Sequence, residues 1–274
     1  MEINGKTKLF ALIGHPVEHS FSPSLHNSQL ELNGINGKYL AFDVDPENLG
    51  KAIEGLHVLG VVGVNVTIPY KEKVIPFLTK ISREAELIGA VNTLIREEKG
   101  FSGDNTDGKG FIESLKREKN FFPQGKKVII LGAGGAARGV GVSLALAGAQ
   151  EVSFINRTLS KAEGLRKLIE INTNANSEAW DYNEKKVPDE KIEEADLIIN
   201  STSIGMYPDI EQKPEINYDM IHSGHLVADL VYNPEETMFM REAISRGANV
   251  VNGKGMLYFQ GEFAFKLWTG KSFK

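Results

Sequence analysis

The chain has 274 residues, 41% of them hydrophobic and 24% charged, which is the balance of a globular protein long enough for one large or two medium domains. A formal charge of −5 excludes the basic footprint of a general nucleic-acid binder, and no apolar run reaches the roughly 18 residues of a membrane span. The absence of cysteine excludes disulfides, thiolate metal sites and cysteine nucleophiles, and residues 1–10 lack the apolar core of a secretory signal, so a cytoplasmic protein is expected.

In chain order, residues 9–13 are the first strand candidate. Ser22 reads as the N-cap of a helix with Pro23 at its first position and Gly34 near its end. Residues 39–44 are the second strand, 48–58 a helix, and 61–66 a third, apolar strand. Residues 70–88 read as helical with a break at Pro76, and 90–95 and 101–103 as short strands. The helix over 108–120 leaves this first series. After a Gln124-Gly125 turn a second series opens, with strands near 127–131, 151–155, 196–200, 226–230 and 248–251 and a small-residue helix over 135–147. The polar stretch 172–191 reads as surface loop or short irregular structure, and a last helix spans about 256–268. Alternation of this kind predicts an α/β protein with mostly parallel sheets. Two domains are expected, residues 1–107 with 253–274 and residues 108–252, the C-terminal helix returning to the first.

The strand at 127–131 runs into Gly132-Ala133-Gly134-Gly135-Ala136-Ala137, which fits G-x-G-x-x-G/A between a strand and a helix. Gly132 allows the tight turn, Gly134 lets the backbone approach a pyrophosphate, and Ala137 permits close packing. The N–H groups and dipole of the helix N-terminus then face the anion. The second strand of this series ends at Asn156-Arg157-Thr158, where an NAD site would carry an Asp or Glu for the ribose 2′-hydroxyl. Glu151 lies at the wrong end of that strand. Arg157 suits a 2′-phosphate instead, with Asn156, Thr158 and Lys161 as helpers, so NADP(H) is the expected cofactor.

The first series carries a polar constellation. Ser20 and Ser22 flank a helix N-terminus, a place that attracts a carboxylate. Asn65 and Thr67 close the third strand, and Lys71 falls in the first turn of the expected helix, where a cation opposes the dipole and has no structural reason to be. Asn92-Thr93 and Gly103-Asp104-Asn105-Thr106-Asp107 complete the set, with Asp107 also a plausible N-cap. Singly each residue has an ordinary explanation. Together they are polar residues at strand ends, where open α/β sheets bind ligands. His15, His19 and His26 suggest a metal, but Pro16 interrupts the i, i+4 pair and no third ligand is evident, so none is expected.

These motifs resemble those of the shikimate/quinate dehydrogenase family over nearly the whole chain. They include Gly14-x-Pro16-x-x-His19-Ser20-x-Ser22-Pro23, Gly63-x-Asn65-Val66-Thr67-x-Pro69-x-Lys71, Gly89-Ala90-Val91-Asn92-Thr93, Asn200-x-Thr202-Ser203-x-Gly205-Met206, Asp229-x-Val231-Tyr232-Asn233-Pro234 and Asn252-Gly253-x-Gly255-Met256-Leu257-x-x-Gln260-Gly261. The resemblance implies a substrate domain, a Rossmann domain and a cleft between them. It implies that Ser20 and Ser22 hold a substrate carboxylate, that Asn65, Thr67, Asn92, Asp107 and Gln260 hold ring hydroxyls, and that Tyr232 lines the site. Lys71 and Asp107 would be the catalytic pair. Gly132, Ala133, Gly134, Gly135, Ala136, Asn156, Arg157, Thr158, Lys161, Thr202, Ser203, Gly253 and Met256 would serve the cofactor. The family often has arginine where this chain has Lys161.

The implied activity is NADP-dependent interconversion of 3-dehydroshikimate and shikimate, by a monomer or homodimer without nucleic-acid or membrane partners. A quinate- or NAD-using relative is the alternative within the family. A non-catalytic NADP-binding sensor is the alternative outside it, and the joint presence of Lys71, Asp107 and the paired serines speaks against that one.

Overall fold

The computed structural model describes residues 2–183 and 185–274. The chain divides into two compact units, Met1–Lys109 with Phe259–Lys274, and Gly110–Tyr258. The first unit holds β1 (Lys8–Gly14), α1 (Ser22–Leu32), β2 (Gly37–Asp43), α2 (Leu49–Val58), β3 (Gly63–Val66), β4 (Lys80–Ile81), α3 (Arg83–Ile88), β5 (Thr93–Glu97) and β6 (Gly100–Asp104). The chain then passes through α4 (Asp107–Lys119) into the second unit.

The strands of the first unit form one sheet in the order β2-β1-β3-β5-β6-β4. All run the same way except β5, which is antiparallel to both β3 and β6. This one reversal positions the site. A parallel sheet gathers its strand ends along one edge, and a reversed strand brings its beginning there instead. Asn65 near the end of β3 therefore pairs with Thr93 at the start of β5, and Thr93 pairs with Asp104 at the end of β6. The sequence pattern placed Asn92-Thr93 within a strand running the common way; it stands at the mouth of a reversed one.

Two other expectations fail locally. Residues 70–88 are not helical on both sides of Pro76; α-helix is confined to α3. Pro69 and Pro76 bracket a stretch too short to repay helix nucleation, and Pro76 has no N–H to donate. The segment makes a single α-turn, Val74 N to Tyr70 O at 2.9 Å, a 3₁₀ turn at Ile75–Phe77, and then β4. Ser22 is not a capping side chain either. It is the first helical residue behind Phe21, and its own N–H donates to Ser20 Oγ at 3.3 Å.

One face of this sheet is closed by Phe10, Leu12, Leu30, Tyr39 and Phe265. A side chain at Gly63 would collide with the Trp268 ring, whose Nε1 donates to Leu94 O at 2.9 Å. Glycine here lets the C-terminal helix seat on β3 and β5. His26 lies inside this aromatic layer, stacked on Tyr39 at 4.4 Å and 9°, and neither ring nitrogen has a partner among the described residues. Burial lowers its pKa to about 3.

The unfolded chain therefore takes up a proton near the ordinary histidine pKa of about 6.5 that the folded chain refuses. His26 contributes nothing to pH dependence above that value, and stability falls progressively as pH drops from there toward 3. At pH 4.5 the loss is roughly 2–3 kcal/mol. Urea midpoints of the wild type and His26→Phe between pH 7 and 4.5 check this. The phenylalanine variant should show the shallower decline, and equal slopes would contradict the assignment.

The second unit holds β7 (Lys127–Leu131), α5 (Gly135–Leu146), β8 (Glu151–Ile155), α6 (Leu159–Asn172), β9 (Ala179–Trp180), α7 (Asp189–Glu193), β10 (Leu197–Asn200), β11 (Leu226–Asp229), α8 (Met238–Ser245) and β12 (Asn249–Val251). The last helix, α9 (Lys254–Thr269), begins here and ends in the first unit. The sheet is wholly parallel in the order β12-β11-β10-β7-β8-β9. Its central strands are buried throughout, as a sheet covered on both faces requires. The order reverses between β10 and β7, the switch point of a doubly wound fold.

The stretch 172–191 is not simply loop. Ala179–Trp180 adds the sixth strand beside β8, with Trp180 almost fully buried. Two residues carry no periodicity, and the polar neighbours hid them. Among the described residues no helix is long and apolar enough to cross a membrane.

Candidate active site

In the first unit, Lys71 is held in the loop after β3 by its own carbonyl, which accepts from Val91 N at 2.7 Å. Its Nζ lies 2.7 Å from Asp107 Oδ2, with the two side chains 33% and 22% exposed. Asp107 is the first residue of α4, and its N–H donates to Asn105 Oδ1 at 3.0 Å. Its carboxylate does not cap the helix; it faces the site. There the helix dipole favours its negative charge. The other carboxylate oxygen, Oδ1, accepts from Asn92 Nδ2 at 2.8 Å, and the same nitrogen approaches Gln260 Oε1 at 3.5 Å.

Around these lie the remaining candidates of the first unit. Asn65 is buried, its Oδ1 accepting from Tyr39 Oη at 2.8 Å and its Nδ2 donating to Asn92 O at 3.2 Å. Thr67 packs its methyl where a Gly14 side chain would stand, so Gly14 is required for that approach. Ser20 and Ser22 are half-buried at the start of α1. Lys71, Asp107, Asn92, Asn65 and Gln260 are thus drawn into one hydrogen-bonded group.

In the second unit, Gly132 adopts φ +111°, in the region that favours glycine. A side chain there would meet Ser201 Oγ at 2.6 Å and Thr202 Cγ2 at 3.0 Å. This turn and the loop after β10 therefore meet at the switch point. Gly134, Gly135 and Ala136 at the start of α5 are exposed, and side chains at the two glycines would meet nothing within 4 Å. That open backbone at a helix N-terminus suits a pyrophosphate. Asn156 and Arg157 follow β8, with Asn156 N–H donating to Trp180 O at 3.0 Å. Thr158 stands at the N-cap of α6, but its side chain makes no capping bond. Arg157, Thr158 and Lys161 are all exposed. The donor set at this strand end is cationic, and the chemistry fits a 2′-phosphate.

Thr202 is fixed from behind. Asn200 Oδ1 accepts from Thr202 Oγ1 at 2.7 Å, and Asn200 Nδ2 donates to Asp229 Oδ1 at 3.0 Å. Burial pushes the Asp229 carboxyl up, opposed by hydrogen bonds from Thr237, Val231 N and Asn200. Ser203 is exposed beside Thr202. Gly253 sits so close to Leu230 that a side chain would collide with the Leu230 carbonyl. Met256 is half-buried and Tyr232 is exposed, both in this unit.

The sequence reading counted Thr93 and Thr106 in the polar constellation without a specific role, and gave no role to Tyr39, Asn200, Asp229 or Thr237. Asn200 and Asp229 did leave a signal, as lone polar residues ending apolar strands. Tyr39 and Thr237 read as ordinary strand and loop residues. Among the described residues no cluster of three histidines or carboxylates is placed to hold a metal.

Residues 12–94 match the family model described as the shikimate dehydrogenase substrate binding domain, and residues 116–216 match the model of shikimate / quinate 5-dehydrogenase. A shikimate dehydrogenase (NADP(+)) of Desulforamulus reducens is 46% identical over 98% of this chain and 92% of its own length. Shikimate 5-dehydrogenase of Listeria monocytogenes, solved with shikimate and NAD, superposes with a TM-score of 0.95 at 34% identity, covering 100% of this chain and 95% of that one. The Thermus thermophilus enzyme, solved with NADP(H) and shikimate, gives 0.84 at 37% identity, over 98% and 95% of the two chains.

Proposed function

The chain belongs to the shikimate dehydrogenase family, and from that premise we propose how its residues divide the reaction. It is an NADP-dependent oxidoreductase that interconverts 3-dehydroshikimate and shikimate, in the biosynthesis of aromatic compounds. The first unit is the substrate domain and the second the cofactor domain. The observation that carries the reading is the Lys71–Asp107 contact of 2.7 Å, set among amides that suit ring hydroxyls.

Ser20, Ser22 and the start of α1 hold the substrate carboxylate. Asn65, Thr67, Asn92, Asp107 and Gln260 take the ring hydroxyls. Bound NADPH supplies hydride to the ring ketone. Lys71 donates to that ketone oxygen and gives it a proton as negative charge develops; in the other direction it takes the proton back. Asp107 accepts from Lys71 and from the substrate, which fixes the direction in which the ammonium points. The turn Gly132–Ala136 receives the pyrophosphate, with Thr202 and Ser203 beside it. Asn156, Arg157, Thr158 and Lys161 receive the 2′-phosphate, and Gly253 and Met256 border the nicotinamide. The lack of cysteine is in keeping with a cytoplasmic location.

The test mixes the protein with NADP⁺ and shikimate or quinate and follows absorbance of the reduced nicotinamide, repeated with NAD⁺. Turnover of shikimate with NADP⁺ as the preferred pair is expected. Turnover with neither acid would overturn the assignment, and preference for quinate or NAD⁺ would move it to the neighbouring activity.

A further inference from the structure

Thr93 at the start of β5 is fully buried, and its neighbours form a hydrogen-bond chain with one direction. Tyr39 Oη donates to Asn65 Oδ1 at 2.8 Å. Asn65 Nδ2 then faces Thr93 Oγ1 at 3.4 Å, and the Thr93 hydroxyl donates to Asn92 Oδ1 at 2.9 Å. Thr106 supports the same atom, with its N–H at 2.9 Å and its hydroxyl at 3.1 Å. A backbone N–H only donates, so the atom it meets must be the Asn92 oxygen. The Asn92 nitrogen is thereby turned to Asp107 Oδ1, and Lys71 takes the other carboxylate oxygen.

We propose that Thr93 is a positioning residue for the reaction: its buried hydroxyl ties the Asn65 and Asn92 amides together and fixes the edge that Asn92 turns to Asp107. The inference rests on the reading that Lys71 and Asp107 are the catalytic pair. A reversed Asn92 would set its amide oxygen against a carboxylate oxygen, acceptor against acceptor, and a tilted one would lengthen its bond to Asp107 Oδ1. The two Thr106 donors resist full reversal, and Thr93 removes the remaining freedom. Among the described residues it is also the one hydroxyl in reach of both amides, through Oγ1 contacts to each.

Thr93→Val keeps the side chain's shape and deletes the donor. It should lower kcat about tenfold, the rate equivalent of one net hydrogen bond, with KM for shikimate and NADP⁺ within about threefold of wild type. Thr93→Ser keeps the hydroxyl and should restore kcat. Rates are taken per NADP⁺-binding site, so loss of folded protein does not imitate the effect. If Thr93→Val is poorly folded, Thr93→Ala against Thr93→Ser makes the same comparison.

A valine variant with wild-type kcat, or valine and serine variants that lose kcat equally, would show that Thr93 only fills space. Lys71→Ala in the same assay separates the two levels. Retained activity in Lys71→Ala overturns the underlying reading, whereas an inactive Lys71→Ala beside a fully active Thr93→Val overturns this inference alone.

Discussion

Lys71→Ala should lower kcat by about 10²–10⁴-fold while leaving KM for shikimate nearly unchanged, the range typical of a lost general acid–base group. The expectation follows from what the side chain does in the fold. The loop that carries Lys71 is anchored by its backbone, and the ammonium makes no hydrogen bond except to Asp107 among those of the described residues. Removing it leaves the amides and hydroxyls that would hold the substrate in place. An effect confined to KM would mean that Lys71 binds and does not handle the proton. Steady-state kinetics in both directions decide between the two, and kcat near wild type would remove Lys71 from the chemistry.

Arg157→Ala should raise KM for NADP⁺ by roughly 10–100-fold and leave KM for NAD⁺ almost unchanged, because hydrogen bonds to a charged group contribute about 1.5–3 kcal/mol. Arg157 is exposed at the end of β8, and its neighbour Asn156 is pinned to Trp180 O at 3.0 Å, so the segment is held while the guanidinium is free to reach. Lys161 stands on the first turn of α6, its N–H donating to Thr158 O at 3.1 Å. A lysine offers a point charge where an arginine would offer a fork. Discrimination should therefore depend mainly on Arg157. Equal losses with NADP⁺ and NAD⁺ would show that Arg157 supports the fold and does not read the phosphate.

The sequence made the second unit largely legible. Its strands are apolar runs, its glycine turn has a fixed spacing, and Arg157 stands where an acid would otherwise be. What periodicity could not show was β9, since two residues between polar stretches have no pattern, although Trp180 is buried beneath them. In the first unit the residue types were visible and the geometry was not. Lys71 was expected on a helix, but two prolines reduce that helix to a turn. Asn92 and Thr93 were expected on a strand of the common direction, and only long-range pairing shows that β5 is reversed. Thr93 stood in the polar set beside Asn92, but its links to Asn65 and Thr106 come only from tertiary pairing. Polar networks of this kind are assembled by tertiary structure, so their residue types are legible in the sequence and their bonding is not.

A cycle of Lys71→Ala, Asp107→Ala and the double variant tests the central claim most directly. If the two side chains act as one unit, the double variant loses little more kcat than the worse single variant. Losses that multiply would show two independent contributions and would contradict the catalytic pair.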